Sequence, residues 1–181
     1  VSAGTALWGD YDLDGDLDLD ILMTSDDGLG RVLMNDGVGQ FIDSGQSIAG
    51  GTVQYASLAD IDGDGDLDAF LSSYYYTNNV VLLNDGNGLF TSLSQPNGIA
   101  STSYGVKLGD LDGDGDPDAF VVNSSWETNR VWINGGGGIF SDSGQQFAVN
   151  NSAAVDLGDL DGDGDLDAFV VNTDGGNRVL L

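Results

Sequence analysis

Short apolar runs recur along the chain, and each is bounded by glycine, asparagine, aspartate or serine. The runs are rich in β-branched and aromatic side chains, as in 119–122 and 80–83. Such runs between turn residues predict β-strands. No stretch shows the apolar spacing of an amphipathic helix, so the chain is predicted to be all-β.

The predicted strands fall into repeating units with the same order of elements. Strand A precedes a run of aspartates, strand B follows it, strand C comes after a variable polar loop, and strand D follows a glycine turn. The turn 84–88, Asn-Asp-Gly-Asn-Gly, is a strong hairpin signal. The predicted ranges are 4–9, 53–58, 104–108 and 153–157 for strand A; 19–23, 69–71, 119–122 and 168–171 for strand B; 31–34, 80–83, 130–133 and 178–181 for strand C; and strand D begins at Phe41, Phe90 and Phe140, which are predicted core residues.

The units form one domain, with approximate bounds of 2–51, 52–101, 102–150 and 151–181. Four antiparallel strands in each unit of about fifty residues predict the blades of a β-propeller. A β-solenoid is the alternative, but its coils are shorter and its glycine-aspartate pattern would recur at every turn. Because the fourth unit stops after strand C, we expect three full blades and a truncated fourth, either as a fragment or as part of a larger ring.

Each unit carries a run of alternating aspartates between strands A and B. The third copy, Asp110-Leu-Asp-Gly-Asp-Gly-Asp-Pro-Asp118, holds five carboxylates in nine residues. Ionised groups this close repel one another unless a cation neutralises them or their pKa values rise. Oxygen ligands at alternate positions, with glycine at the sixth position, are typical of the first half of a calcium loop. Ligands of this kind, without cysteine or histidine, favour Ca²⁺ over transition metals.

The second half of these loops differs from that of an EF-hand. The twelfth position, which holds a bidentate glutamate in an EF-hand, is apolar in all four copies, and a strand follows instead of a helix. We therefore expect four Ca²⁺ sites, one in each A–B loop, with side-chain ligands at positions 1, 3, 5 and 9 and the backbone carbonyl of position 7. The alternative is that the Asp-Gly pairs are hairpin turns only. The candidate metal residues are Asp10, Asp12, Asp14, Asp16 and Asp18; Asp60, Asp62, Asp64, Asp66 and Asp68; Asp110, Asp112, Asp114, Asp116 and Asp118; and Asp159, Asp161, Asp163, Asp165 and Asp167.

The acidic composition excludes several classes of partner. The formal net charge is −26, and such a field repels nucleic acid and anionic lipid. No apolar run is long enough to span a bilayer, so membrane insertion is not expected. Calcium sites of low affinity fill where Ca²⁺ is millimolar, and we therefore expect an extracellular or cell-surface location.

The units resemble the FG-GAP (VCBS-type) repeats of the integrin α-subunit β-propeller and of many secreted bacterial proteins. The resemblance rests on the run from Gly158 to Asn172, on Asn-Arg-Val in strand C and on Asn-Asp-Gly-x-Gly-x-Phe, and it covers nearly the whole chain. It implies that the calcium loops lie on one face of the disc, with ligands usually bound on the opposite face, where the B–C and D–A loops open. Two features depart from the family pattern: Val80 replaces the arginine of strand C, and family propellers close with about seven blades.

The B–C loops differ most between units and are therefore the predicted ligand-binding region. Large aromatic side chains among amides and hydroxyls suit the binding of a sugar or a protein loop. Alternatively, the tyrosines cover the edge of a blade. The candidate ligand-binding residues are Tyr74, Tyr75, Tyr76, Trp126 and Glu127.

The chain is predicted not to be an enzyme, because it has no histidine or cysteine and a single lysine, Lys107, and so lacks most of the usual bases and nucleophiles. We predict an extracellular calcium-binding module for non-catalytic recognition, adhesion or assembly. A glycan or an extracellular protein is the expected ligand, with self-association through open blade edges. The alternatives are a structural subunit of a surface fibre or layer and a propeller segment of a polysaccharide-degrading enzyme.

Overall fold

All regular structure in the described part of the chain is β-sheet, as predicted. Consequently no helix there is long and apolar enough to cross a membrane. The structure is a computed structural model. It describes residues 3–13, 18–25, 29–49, 53–74, 78–95, 102–147 and 151–181.

The first two sheets correspond to the first two units. The first sheet contains β1 (Ala3–Gly9), β2 (Asp20–Ser25), β3 (Leu29–Asn35), β4 (Phe41–Asp43) and β5 (Ile48–Ala49). The second sheet contains β6 (Val53–Ala59), β7 (Asp68–Ser73), β8 (Val80–Leu83) and β9 (Thr91–Leu93).

The other two sheets repeat this arrangement. The third sheet contains β10 (Ser103–Gly109), β11 (Asp118–Asn123), β12 (Arg130–Asn134) and β13 (Phe140–Asp142). The fourth sheet contains β14 (Ser152–Gly158), β15 (Asp167–Asn172) and β16 (Arg178–Leu180).

The strands of each sheet are antiparallel and follow the predicted order A to D. The short strand β5 is an addition that the sequence did not predict, and it pairs with β3. The first strands of neighbouring sheets pack beside one another, which places strand A on the inner side of an arc of sheets. The sheets are therefore the blades of a partial β-propeller, as expected.

The hydrophobic core lies between successive blades in three clusters. Phe90 is buried between the first and second blades, and Phe140 between the second and third. Phe41 differs from this prediction, because its side chain is 41% exposed. It packs against Trp8 on the face of the first blade that points away from the second. The described residues place no blade over that face.

An arginine at the start of strand C forms an ion pair with an aspartate of strand D in the first and third blades. In the second blade Val80 and Ser92 occupy the two positions. Both charges of the pair are therefore absent from the second blade. Surface ion pairs of this kind contribute little to stability. The two pairs are Arg31–Asp43 and Arg130–Asp142.

Candidate metal centres

Three aspartate side chains converge between strands A and B of every blade. One carboxylate oxygen from each of the three lies within 4.8 Å of the oxygens from the other two. In each group the last aspartate is buried and is the first residue of strand B. The groups are Asp10, Asp12 and Asp20; Asp60, Asp62 and Asp68; Asp110, Asp112 and Asp118; and Asp159, Asp161 and Asp167.

Glycines bend the loop around the first of these carboxylates. Gly63 and Gly65 have φ angles of 80° and 100°, which glycine adopts without steric cost. Their backbone N–H groups donate to the two carboxylate oxygens of Asp60, at 2.8 and 3.0 Å. The third and fourth loops repeat both hydrogen bonds. The aspartate-glycine spacing therefore places the first carboxylate in the middle of the loop.

The last aspartate of the loop also fastens the blade together. The carboxylate of Asp68 is buried and accepts two backbone hydrogen bonds, each 2.8 Å long, from Ile61 at the start of the loop and from Asn84 at the end of strand C. Asp20 and Asp118 accept the equivalent pairs. This aspartate is therefore a structural residue as well as a candidate ligand.

These contacts join the loops of neighbouring blades into a continuous chain of hydrogen bonds. The side-chain amide of Asn84 donates to the carbonyl of Tyr11, in the loop of the preceding blade, at 2.9 Å. The amide of Asn134 donates in the same way to the carbonyl of Ile61, at 2.8 Å. The acidic loops of the first and second blades are thereby held by their own blade and by the turn of the following one. The only sequence signal for this link is an asparagine after strand C in the first three units.

In the second, third and fourth loops the structure brings together the side chains of three of the five predicted residues. Positions 1, 3 and 9 converge, whereas the described groups do not include positions 5 and 7. At position 5, Asp64 accepts a hydrogen bond from the backbone of Asp66. At position 7, the carboxylate of Asp66 lies beside Gly86. The predicted residues Asp14 and Asp16 lie outside the described residues.

The first loop corrects one predicted ligand. It ends at Asp20 instead of Asp18, because it is two residues longer than the others: Gly9 pairs with Asp20 in the register where Ala59 pairs with Asp68. Asp18 instead accepts a hydrogen bond from the backbone of Gly37. Aligning the units from strand B rather than from the first aspartate would have identified Asp20.

The first loop also has a leucine where the others have their first glycine. Leu13 has a φ angle of 47°, a left-handed conformation that costs a non-glycine residue about 1–2 kcal/mol. We expect Leu13→Gly to stabilise the chain by about 1 kcal/mol, as measured by denaturant unfolding with Ca²⁺ present. Gly63→Leu, the reverse change in the second loop, should destabilise it by a similar amount. A loss of stability in the Leu13→Gly variant would contradict this assignment of strain.

Burial and mutual repulsion raise the pKa values of several loop carboxylates. Burial raises the pKa of Asp68 to about 6, and burial also raises the pKa of Asp118. The pKa of Asp62 is raised by burial and then by the charge of Asp64. A bound cation would offset both the burial of the charged carboxylates and their mutual repulsion, and three oxygen donors suit a hard divalent ion.

The raised pKa of Asp68 predicts how stability depends on pH in the absence of divalent ions. The neutral carboxyl is favoured in the folded chain, so its contribution is complete below about pH 4 and is lost as the pH rises through about 6. We therefore expect the unfolding temperature in a chelator effective over this range to fall between pH 4 and 7. Calorimetry measures this unfolding temperature at each pH. Asp68→Asn is the control, because it removes the titrating carboxyl group. A metal-free unfolding temperature that rises over this interval would contradict the prediction.

The candidate ligand-binding residues of the B–C loops differ in how far their side chains are available to a ligand. Tyr74 packs edge-on against Tyr104, with ring centroids 5.1 Å apart. The Glu127 carboxylate accepts a hydrogen bond from the backbone of Thr102, at 2.9 Å. Trp126 is 64% exposed and has a φ angle of 64°. Tyr75 and Tyr76 lie outside the described residues, so of the described candidates Trp126 is the one most open to a ligand.

Comparison with known proteins identifies the repeat. A family model described as FG-GAP-like repeat matches residues 12–71, 60–121 and 110–170. The crystal structure of the V. cholerae biofilm matrix protein Bap1 is similar to the chain, with a TM-score of 0.52 and 18% sequence identity. The match covers 97% of this chain and 30% of that one, and at this identity it supports the fold alone. No curated protein sequence matches the chain.

Proposed function

The chain belongs to the family of FG-GAP-like repeats, and on that premise we propose that it is an extracellular propeller module stabilised by calcium. We propose that the module binds a glycan or an extracellular protein and does not catalyse a reaction. The observation that carries the proposal is the convergence of three carboxylates in the A–B loop of every blade. A repeated feature of this kind serves the scaffold, and recognition is left to the loops that differ.

The chemistry of the loops supports Ca²⁺ as the bound ion. The converging donors are all carboxylate oxygens, and the glycine turns fold the loop around the first of them. Hard oxygen donors in a flexible loop suit Ca²⁺, whereas Mg²⁺ requires near-ideal octahedral geometry and retains its water. Four divalent ions would also neutralise eight of the excess negative charges.

Two observations support an extracellular location. Loops of this kind fill readily where Ca²⁺ is millimolar, as it is outside cells. The structurally similar Bap1 is a biofilm matrix protein. A binding module in such a matrix would meet polysaccharides and other secreted proteins, which are the ligand classes proposed here.

The exposed indole of Trp126 is the proposed centre of the ligand site. The B–C loop lies at the end of strand B opposite the acidic loop, so Trp126 and the proposed ions are on different faces of the propeller. Ser125 and Trp126 both have positive φ angles, of 56° and 64°. Strained backbone of this kind persists when surrounding contacts fix it, and it is frequent at ligand sites. Two contacts supply that support: the Glu127 carboxylate accepts a hydrogen bond from the backbone of Thr102, and the backbone N–H of Trp126 donates to the side-chain oxygen of Asn151.

Trp126→Ala tests the recognition function. We expect this variant to lose binding to the captured ligand by roughly 30-fold, the scale of a central aromatic anchor, with its unfolding temperature unchanged. The wild-type chain is first screened in Ca²⁺ on an array of polysaccharides and extracellular matrix proteins, and affinities are then measured by biolayer interferometry. Trp8→Ala is the matched control, because Trp8 is 55% exposed but lies on the outer face of the first blade. Equal binding by the Trp126→Ala variant would refute this site.

A further inference from the structure

An aromatic residue of the B–C loop meets the start of the next blade at two successive interfaces. Tyr74 follows β7 and packs edge-on against Tyr104, near the start of β10 in the third blade. Trp126 lies after β11, and its backbone N–H donates to the side-chain oxygen of Asn151, just before β14 in the fourth blade, at 3.3 Å. The end of the propeller opposite the acidic loops therefore carries aromatic rings at both interfaces.

A β-bulge sets the position of Tyr104. The pairing of β10 with β11 shifts its register between Ser103 and Gly105, so Tyr104 is the extra residue of the bulge. Bulges re-aim a side chain and are frequent beside functional sites. The same shift occurs in β6 and β14, where Gln54 and Ala153 hold the bulge position. The bulge is thus shared by these three blades, and an aromatic residue occupies it in the third.

Hydrogen bonds fix the loop of Trp126 to the strand of Tyr104. The backbone N–H of Thr102, two residues before Tyr104, donates to the Glu127 carboxylate at 2.9 Å. The carbonyl of Thr102 accepts the backbone N–H of Ser124 at 3.1 Å. The two aromatic positions are therefore held in a set arrangement before any ligand binds, which lowers the entropic cost of recognition.

Polar groups surround the exposed indole on the side of the fourth blade. The backbone and side-chain N–H groups of Asn151 donate to the two carboxylate oxygens of Asp174, each at 3.0 Å. The hydroxyl of Thr173 donates to the carbonyl of Asn151 at 3.1 Å. Ser125 precedes Trp126 and is exposed, as is Thr173. Amide and hydroxyl groups therefore border the aromatic surface.

The loops at this end of the propeller contain no lysine or arginine. The described carboxylates among them, those of Asp174 and Glu127, already accept hydrogen bonds from the protein. Of the arginines that begin strand C, Arg31 and Arg130 are paired with aspartates of strand D. An anionic polymer would therefore meet no free cation in these loops and would be repelled by the net charge of −26. The B–C loops are 24–30, 72–79, 123–129 and 172–177, and the D–A loops, which have no charged residue, are 44–52, 94–102 and 143–151.

We propose that the ligand of this face is a neutral polysaccharide, with one sugar ring stacked on Trp126 and another on Tyr104. The inference rests on the recognition function proposed above and narrows its ligand class. The C–H face of a pyranose ring is apolar and suits an aromatic ring, while its hydroxyls suit the bordering amides and hydroxyls. Two rings on one polymer reinforce each other, because the first contact raises the effective concentration for the second. A protein ligand is disfavoured because arginine, a frequent anchor of protein interfaces, is absent from these loops.

Binding of the full chain to soluble polysaccharides at constant Ca²⁺ tests the proposal. The panel contains neutral dextran, mannan and β-glucan, anionic hyaluronan and sulfated dextran, and cationic chitosan, with extracellular matrix proteins measured beside them. We expect saturable binding of at least one neutral polymer and none of the anionic ones. The affinity for the neutral polymer should change by less than about twofold between low and high salt, because no ion pair forms.

Variants of the two aromatic residues locate the polymer. Trp126→Ala and Tyr104→Ala should each weaken binding by about tenfold or more, because each removes one stacked ring. Tyr104→Phe keeps the ring and should bind like the wild-type chain, and Trp8→Ala is the control for an exposed indole on another surface. Circular dichroism checks that the variants fold. Quenching of tryptophan fluorescence in a Trp8→Phe chain, whose other indole besides Trp126 is the buried Trp132, reports the contact without removal of either ring.

The outcomes separate this inference from the recognition function. Binding of a protein that depends on Trp126, with no neutral polysaccharide bound, would overturn the inference and leave the recognition site intact. Binding of anionic polymers alone, or neutral binding that both alanine variants retain, would also overturn it. Absence of any bound ligand across the panel would contradict the inference and the recognition function together.

Discussion

Removal of Ca²⁺ is expected to lower the unfolding temperature by roughly 20–40 °C. At a concentration a hundredfold above the dissociation constant, each site contributes about 2.7 kcal/mol, and four sites contribute about 10 kcal/mol. This is comparable with the whole stability of a natural domain. In a chain of this length each kcal/mol shifts the midpoint by about 2–4 °C. The expected physical cause is that a bound ion would hold the carboxylates of each loop together, whereas they repel one another without it.

Differential scanning calorimetry in EDTA, followed by titration with Ca²⁺ or Mg²⁺, measures this effect. Excess Ca²⁺ should restore the midpoint, whereas Mg²⁺ at the same free concentration should restore little of it. Mg²⁺ fails because it keeps its water and demands a more regular octahedral site. An unfolding temperature that is the same in EDTA and in Ca²⁺ would refute the assignment of these loops as calcium sites.

Asp68→Ala is expected to destabilise the chain by about 3–5 kcal/mol even in EDTA. The substitution leaves two buried backbone N–H groups, those of Ile61 and Asn84, without their acceptor. Each unsatisfied buried donor costs about 1–3 kcal/mol. The effect in EDTA reports the structural role of this aspartate, and any additional loss in Ca²⁺ reports its role as a ligand.

Two variants in the same loop separate these roles. Asp62→Ala should lower stability in Ca²⁺ but have little effect in EDTA, because Asp62 belongs to the three-carboxylate group while its hydrogen bond to Asp64 is at the solvent-exposed surface. Asp64→Ala is the control, since the described group does not include its carboxylate. Denaturant unfolding with and without Ca²⁺ measures the free energy of unfolding of the Asp68→Ala, Asp62→Ala and Asp64→Ala variants. Equal losses for the three variants in EDTA would show that burial of Asp68 has no special structural role.

The strands were predictable because each one combines β-branched and aromatic residues with flanking turn residues. Ala119 to Val122, for example, lies wholly within β11. The end of the first loop was predicted wrongly for a specific reason. Aspartates that alternate along a chain superimpose on one another after a shift of two residues, so spacing counted from the first aspartate alone cannot distinguish Asp18 from Asp20. The pairing of Gly9 with Asp20 resolves this register.

Contacts between units were not predictable, because the partners are far apart in the sequence. Asn84 and Tyr11, or Gln46 and Phe90, meet only when two blades stack. The sequence similarly shows that Glu127 is charged and next to an aromatic residue, but not that its carboxylate accepts a backbone hydrogen bond from Thr102. Local patterns therefore specified the blades, whereas the roles of single polar residues depended on tertiary packing.

The hydrogen bonds that pass from loop to turn to loop make the protein behave as a linear array with nearest-neighbour coupling. A blade that packs between two others gains stability from both of its neighbours. Loss of the ion from one acidic loop should therefore weaken ion binding in the loop of the adjacent blade. Hydrogen exchange is then expected to be slowest in β7 and β11, where the buried residues of two interfaces meet.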